Sequence, residues 1–478
     1  MQNLKAKTLS SFFWDFGGLL VSQIVAFVIS VVLARLLSPA DYGLLAMANV
    51  FVFIFNIFID VGFSTSLIQN KHNSNLTYSS VFYVNLAASA TVFLIVQLIA
   101  PLVGDFYNDA RVTELIRIIA FLLPLGALSN VQNAILTKEL KFAFLTKRSI
   151  VSQTAGGILG IIAAYKGYGV YALIVSTFAS QIISTVLVWS ISTWKPDLRF
   201  SLNEIKKLFS FSFYVFLTAF TGKVFQQLNS LFIGKMFAAS TLGYYNIAVN
   251  IRDRVSTLTS SSTKKILFPV MSAVKDDHVR FNAVYDKAIN IICFFSFSIV
   301  GVIYFWSESI ITLFYGQKWI AAIPILKILI LIAIFGPIGS LMVDALVSKG
   351  FAKQNFQLDL IKKVNAVLVV VIGYYFGFDI MMYAFLGQTI INTMLNIIYL
   401  KKYLRFTVRR ILLSLLISIL ILTFSIYCYE MISTEHLIIK QIVISFLFVG
   451  GILGTHQFFN AGNVAYVFNT AKNLISRR

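Results

Sequence analysis

Long apolar segments separated by short polar stretches run along almost the whole chain, from Phe12 to Phe459. A helix needs about 20 apolar residues to cross a bilayer, because its backbone groups must bond one another in lipid. The pattern therefore predicts an all-α, polytopic membrane protein. Breaks at polar or Gly/Pro clusters divide it into about fourteen spans. The predicted spans are residues 12–34, 42–69, 78–104, 112–136, 149–165, 168–192, 210–236, 242–272, 287–314, 320–348, 361–377, 380–400, 411–431 and 437–458.

The composition agrees with this pattern and leaves little room for a soluble domain. Of the 478 residues, 58% are hydrophobic and 12% are charged, whereas a soluble domain has about 25% charged residues. The two cysteines, Cys293 and Cys428, lie inside apolar segments and indicate no disulfide framework. An ordinary soluble protein is excluded.

The basic residues are distributed unevenly between the two sides of the membrane. The net charge is +20, with 39 Lys and Arg against 19 Asp and Glu. If the N-terminus is cytoplasmic, most cations fall in the tails and in the even-numbered loops, for example Lys138, Lys141, Lys147 and Arg148. This positive-inside asymmetry predicts that both termini are cytoplasmic. It also accounts for the charge without a nucleic-acid partner, which would require one basic stripe.

The sequence contains an internal duplication. A shift of 200 residues aligns Ala34–Gly43 with Gly234–Gly243, and later the offset becomes 208 to 210. We predict an N-terminal six-helix lobe at 1–200, a second at 201–405, and two additional helices with a cytoplasmic tail at 406–478. Since six is even, both lobes have the same orientation and are related by an axis along the membrane normal. The expected site is the cleft between them.

Polar residues recur at helical spacing on several predicted spans. A charge at the bilayer centre costs about 3 kcal/mol on insertion scales, so such residues face a cavity or a partner. Interhelical hydrogen bonds and ion pairs are the alternative, particularly for isolated Asn and Gln and for Arg252. Asp344 is either a local buried carboxylate or a proton site. The candidates are Asp15, Gly18 and Ser22 on the first span; Asn49, Asn56 and Asp60 on the second; Lys223, Gln226, Gln227 and Ser230 on the seventh; and Asn246, Asn250, Asp253, Arg254, Thr257, Ser261 and Lys264 on one face of the eighth, with Arg252 off that face. Polar faces also occur on the fourth span (Asn130, Asn133 and Thr137) and the twelfth (Gln388, Asn392 and Asn396).

Other chemistry is not indicated. The four histidines lack metal-ligand spacing, no glycine-rich phosphate loop precedes a helix, and no loop carries a nucleophile arrangement. We therefore expect no metal, no cofactor and no enzymatic activity.

Five stretches resemble the lipopolysaccharide and colanic-acid exporters, the Wzx-type flippases of the multidrug/oligosaccharidyl-lipid/polysaccharide exporter superfamily. The resemblance covers about residues 5–400, and its SPADYG and GYGVYAL motifs are specific. It implies a twelve-helix core of two lobes with two extra helices. The stretches are LARLLSPADYGLLAMANVF (33–51), FIDVGFSTSLIQ (58–69), GYGVYALIVS (167–176), LGYYNIA (242–248) and LFYGQKWIAAIPILKIL (313–329).

The resemblance also implies a function. Such exporters move undecaprenyl-pyrophosphate-linked sugar units from the cytoplasmic to the outer leaflet of the bacterial inner membrane, through a cavity lined by helices 1, 2, 7 and 8. We hypothesise that Lys223 and Arg254 contact the diphosphate and that Asn and Gln amides bind the sugar. Arg252, Asp253 and Asp60 accompany them. Expected partners are membrane lipid, a polymerase and other polysaccharide-assembly proteins.

Two rival functions remain. A cation-coupled multidrug antiporter of the same superfamily would need carboxylates in its cavity. The charge count does not decide against it, whereas the identity of the motifs favours the exporter. A polymerase or ligase would need a large external loop, which the sequence lacks. Coupling to protons or sodium would use Asp60 or Asp344.

Overall fold

The computed structural model describes residues 2–70, 72–274, 276–404, 408–432 and 437–459, with some side chains inside the helices left out of the description. These residues form α-helices and no strand. A π-helical turn at Ile310–Tyr315 and a 3-10 turn at Gln317–Trp319 lie between α11 and α12. The helices are α1 Gln2–Leu36, α2 Pro39–Asp60, α3 Phe63–Gln69, α4 Asn75–Tyr107, α5 Ala110–Ile119, α6 Leu122–Lys138, α7 Phe142–Tyr165, α8 Val170–Ile191, α9 Leu202–Met236, α10 Ala239–Ala273, α11 His278–Ser309, α12 Ala322–Ser348, α13 Ala352–Phe376, α14 Phe378–Leu404, α15 Val408–Met431 and α16 Leu437–Phe459.

Every predicted span coincides with a helix or with a pair of consecutive helices, and two spans are broken where the sequence predicted continuity. The second span divides at Val61 and Gly62, whose φ values are 45° and 80°. An added Cβ at Gly62 would lie 2.6 Å from the backbone oxygen of Ser212. Residue 62 must therefore be glycine for two reasons: its positive φ is rarely adopted by L side chains, and α9 leaves no space for a Cβ. The fourth span divides between α5 and α6, at Ala120 and Phe121.

The multi-pass, all-α architecture is confirmed, while the number fourteen stays a prediction. Among the described residues, nine helices are long and apolar enough to cross a membrane. A tenth is added if α9 is taken whole, across a 58° bend between Leu202–Ser210 and Ser212–Met236. Four predicted spans, on α1, α7, α10 and α13, are not among these ten. Charged residues inside α7, α10 and α13 reduce their hydropathy, and α1 contributes a shorter apolar helix, Leu20–Leu36.

The chain divides into two compact units, Met1–Asn246 and Ile247–Arg478. In the first unit, α7 packs through small residues. An added Cβ at Gly156 would lie 2.0 Å from Ser180 Oγ on α8, so the two backbones approach closely, as is common between membrane helices. On its other side α7 contacts α1, where Ser22 Oγ donates to Gln153 Oε1 at 3.2 Å.

The second unit is organised around α11. Its aromatic side chains Phe281, Phe297 and Phe305 are buried together with Phe448 of α16. Two side-chain hydrogen bonds also join α11 to α16: Trp306 Nε1 donates to Ser445 Oγ at 3.2 Å, and Ser309 Oγ donates to Gln441 Oε1 at 2.7 Å. The last two helices therefore pack on α11. The lobe boundaries at 200 and 405 stay a prediction.

Candidate functional site

The SPADYG motif builds the beginning of α2. Ser38 is the N-cap residue: its hydroxyl accepts a hydrogen bond from the backbone N–H of Asp41, and the Asp41 carboxylate accepts one from the N–H of Ser38 at 2.8 Å. Pro39 occupies the first turn, where its missing N–H costs nothing. This capping box fixes where the helix begins and so fixes the position of Gly43 one turn later.

Gly43 and Gly243 form a reciprocal contact inside the first unit. An added Cβ at Gly43 would lie 1.7 Å from the backbone oxygen of Ala239, and one at Gly243 would lie 1.9 Å from the backbone oxygen of Pro39. A shift of 200 residues, the offset of the duplication, converts Gly43 into Gly243 and Pro39 into Ala239. The beginnings of α2 and α10 therefore touch backbone to backbone, with no space for side chains.

Helices α2 and α9 run antiparallel and expose a polar face. The ring of Phe58 lies 5.4 Å from that of Phe220, and a Cβ added to Gly234, at the far end of α9, would lie 3.1 Å from Met47 Cγ. Asn56 is two residues from Phe58, and Lys223 is three residues from Phe220 on the antiparallel helix. At a rise of 1.5 Å per residue, Asn56 and Lys223 therefore lie at about the same level along the two helices. The side chains of Asn56, Lys223 and Gln226 are exposed, and Gln227 is half-buried.

Asp60 is engaged by its own neighbourhood at the break between α2 and α3. Its carboxylate accepts hydrogen bonds from the backbone N–H and the hydroxyl of Ser64, at 3.1 and 2.7 Å, and from Asn85 Nδ2 at 3.4 Å. The side chain is half-buried. Its predicted role in the cavity or in ion coupling would require this network to rearrange.

The polar residues of α10 beyond Asn246 belong to the second unit. The guanidinium of Arg252 contacts Asp253 Oδ1 through Nε at 2.9 Å and Nη2 at 2.7 Å, so Arg252 pairs with its neighbour despite lying off the polar face. Asn250 is exposed and Arg254 is half-buried. Asp344 is half-buried on α12 of the same unit. The side chains of Asp15, Ser261 and Lys264 lie outside the described residues.

Two half-buried cations were not singled out from the sequence. Arg148 on α7 donates to Asn133 Oδ1 on α6, and Lys362 Nζ on α13 donates to Asn396 Oδ1 on α14 at 2.7 Å. The charge pattern had placed both on the cytoplasmic side. Each cation and its Asn partner lie on different helices, so the sequence separation between them does not predict the contact. The contact depends on how the helices pack. No group of three or more His, Cys, Asp or Glu side chains suited to a metal occurs in the described part of the chain.

The linker between α8 and α9 is bound to the beginning of α4. The buried hydroxyls of Ser79 and Ser80 accept hydrogen bonds from the backbone N–H groups of Asp197 and Ser201, at 2.8 and 2.9 Å. Thr77 Oγ1 donates to Glu204 Oε2 at 2.5 Å. At the exposed tip, the hydrogen bond from Arg199 lowers the pKa of the Asp197 carboxyl. The linker is thus a fixed part of the first unit.

Removing the two α4 hydroxyls that bind the linker should release the linker. In a Ser79→Ala/Ser80→Ala variant we expect trypsin to cleave after Arg199 roughly thirtyfold faster, because each of the two lost hydrogen bonds contributes about 1 kcal/mol. Mass spectrometry of timed digests of the detergent-solubilised protein measures the rate. Thr91→Ala is the matched control, since the Thr91 hydroxyl bonds only its own helix. Equal rates in wild type and double variant would show that these bonds do not hold the linker.

The fold is shared with solved membrane transporters. It superposes on a solved structure of the lipid II flippase MurJ with a TM-score of 0.74 and 19% identity, covering 92% of this chain and 98% of that one. It also superposes on an inward-facing multidrug resistance MATE family transporter, described as a member of the MOP superfamily, with a TM-score of 0.62 and 15% identity over 79% of this chain and 92% of that chain. At these identities the likeness concerns the fold alone.

The sequence comparisons give the family. The model of the family described as polysaccharide biosynthesis protein matches residues 32–324, and the chain belongs to this family. It is 23% identical to the lipopolysaccharide biosynthesis protein WzxC of Escherichia coli (strain K12), over 86% of this chain and 85% of that protein. It is 25% identical to an uncharacterized membrane protein in the cps region of Klebsiella pneumoniae, over 71% and 72%. The resemblance predicted from the sequence motifs is confirmed.

Proposed function

We propose that the protein is a flippase that moves an undecaprenyl-pyrophosphate-linked oligosaccharide from the cytoplasmic to the outer leaflet. The glycan would serve a surface polysaccharide: O-antigen, capsule or exopolysaccharide. Relatives named for lipopolysaccharide, teichuronic acid and succinoglycan biosynthesis support this proposal. The observation that carries it is a polar, cationic face, Asn56, Lys223 and Gln226, exposed on membrane helices of a chain in this family.

The physical problem for such a substrate is its headgroup. Each unpaired hydroxyl costs several kcal/mol to move into hydrocarbon, and an isolated charge costs far more. A polar surface on α2 and α9 would replace water around the sugar and diphosphate while the polyprenyl chain stays in lipid. The two lobes would alternate between inward-open and outward-open states, with no chemical change in the substrate.

The same proposal sets the location and the energy source. The protein would lie in the bacterial cytoplasmic membrane with both termini in the cytoplasm. Polymerase and other assembly proteins would receive its product at the outer leaflet. Outward movement of two negative charges is favoured by roughly 4 to 5 kcal/mol at 100 mV, inside negative. Asp60 and Asp344 are the candidates for proton or sodium coupling. Asp60→Asn and Asp344→Asn variants with unchanged transport and unchanged response to collapsed gradients would exclude them.

A reconstituted assay tests the function directly. The purified protein is placed in liposomes containing an undecaprenyl-diphosphate-linked oligosaccharide, and the outer leaflet is probed with a glycosidase that cannot enter. Because roughly half of the lipid starts in each leaflet, we expect cleavage to proceed past that half only when the protein is present. Cleavage that stops at the same level with and without protein would contradict the proposal.

A multidrug cation antiporter is the second candidate, and the MATE-like fold favours it. An antiporter needs an accessible carboxylate for its cation. In the described part of the first unit, the exposed face instead carries Lys223, while Asp60 is occupied by Ser64 and Asn85. The same liposomes separate the two: gradient-driven uptake of an organic cation without exchange of the lipid-linked glycan would establish the antiporter.

A further inference from the structure

Arg148 differs from four other arginines of the described chain, because those four contact an aspartate close by in sequence. Its Nη1 donates to Asn133 Oδ1, an uncharged amide oxygen. Its Nε is buried and has no hydrogen-bond partner among the described residues. The arginines with aspartate partners are Arg111, Arg199, Arg252 and Arg280.

Burying a guanidinium whose described partner is an uncharged amide oxygen costs free energy unless an anion also binds to it. A guanidinium has five N–H donors and keeps its charge at any physiological pH. Taking it out of water without a counter-charge costs several kcal/mol, and a single amide oxygen offsets only part of that. One donor of Arg148 is used by Asn133, so four remain, including the buried Nε–H. The guanidinium as a whole is only half-buried, so its remaining Nη–H groups are the donors available to a carboxylate or phosphate.

Uncharged polar groups continue from Arg148 along α7 to α1. Gln153 Nε2 donates to the hydroxyl of Ser149 at 3.0 Å, and Ser22 Oγ donates to Gln153 Oε1 at 3.2 Å. Ser149 follows Arg148 directly in the chain. Hydroxyl and amide groups of this kind match the hydroxyls of a sugar, and none of them neutralises the arginine.

We propose that Arg148 and Asn133 form an oxyanion subsite in the first unit for the lipid-linked glycan, with Ser149 and Gln153 beside it. The anion is either the diphosphate or the carboxylate of an acidic sugar. The subsite lies near the predicted cytoplasmic end of α7, where the headgroup would enter. This inference rests on the proposed function and adds to it a second cation, separate from Lys223.

Asn133→Asp provides the sharpest variant. It places a carboxylate where the amide oxygen now meets the guanidinium, so the arginine gains an internal partner and the fold is retained. Arg148→Gln removes the charge instead. Both variants should lose oxyanion binding at least tenfold, and Asn133→Asp should do so with a melting temperature equal to or above that of the wild type. A purely structural role for Arg148 predicts that Asn133→Asp binds like the wild type.

Binding is measured in detergent, apart from transport, with three probes. They are undecaprenyl diphosphate, an undecaprenyl-diphosphate-linked disaccharide ending in glucuronate, and the same lipid ending in glucose. Weaker binding of all three probes by both variants assigns the subsite to the diphosphate. Weaker binding of the glucuronate probe alone assigns it to the sugar carboxylate. Arg111→Gln is the control, because Arg111 is exposed and paired with Asp109.

The two proposals fail in different ways. If both variants bind all three probes as the wild type does, and the wild type flips them, the subsite is overturned and the flippase stands. If the wild type binds none of the probes and flips none of them, the flippase itself is overturned, and the subsite with it.

Discussion

Gly43→Ala is expected to cost about 1 to 3 kcal/mol or more in the state described here and to reduce transport at least tenfold. The added Cβ would lie 1.7 Å from the backbone oxygen of Ala239, and a helix backbone cannot give way as a flexible side chain can. Gly243→Ala should have a similar effect through Pro39. The double variant should cost less than the sum, because the first methyl group already separates the helices that the second would push apart.

Thermal unfolding of the detergent-solubilised variants and the liposome assay together measure these effects. Gly126→Ala is the matched control: it is also a helical glycine of the first unit, with nothing within 4 Å of an added Cβ. It should be neutral or slightly stabilising, since alanine is the better helix former by about 1 kcal/mol. Strict additivity of Gly43→Ala and Gly243→Ala would contradict a shared contact.

Lys223→Ala should reduce transport about tenfold to a hundredfold while leaving the fold unchanged. A charge-assisted hydrogen bond to a diphosphate is worth about 1.5 to 3 kcal/mol, and each 1.4 kcal/mol is a factor of ten. Lys223 is exposed, so its truncation leaves no buried group without a partner. Lys223→Arg should retain much of the activity because the charge is kept.

The control for Lys223 lies on the same helix. Lys206 is also exposed but sits near the beginning of α9, before its bend, and Lys206→Ala should transport like the wild type. Equal losses in the two variants would indicate a general effect of surface charge. Full activity of Lys223→Ala at normal protein levels would remove Lys223 from the substrate site.

The fold was largely predictable because lipid imposes a simple rule on the sequence. Long apolar runs must be helical there, and α4, α8 and α12 follow runs that the hydropathy pattern shows directly. The break at Val61 was not predictable, because the residue is apolar and β-branched and yet has a φ of 45°. Hydropathy averages over about 19 residues and does not register a change in one dihedral angle.

The candidate site was predictable in its residue types and less so in its contacts. Helical spacing puts Lys223 and Gln226 on one stripe of α9, and both side chains are exposed, while their place in a binding site stays a prediction. It did not distinguish Asp60, whose oxygens are occupied, from a carboxylate open to ligand. Charge counting assigned Arg148 to a loop, although its guanidinium turns toward α6. A long side chain can reach several ångströms in either direction, so sequence position alone does not fix where its charge lies.

The anchored linker bears on how the protein is made. Ser79, Ser80 and Ser66 emerge from the ribosome well before the residues that bind them, Asp197, Ser201 and Ser212. A chain that stops at residue 200 lacks Ser201 and Ser212, and so lacks the native partners of the Ser80 and Ser66 hydroxyls. The native packing of α3 and α4 therefore includes hydrogen bonds to residues that belong to the next repeat.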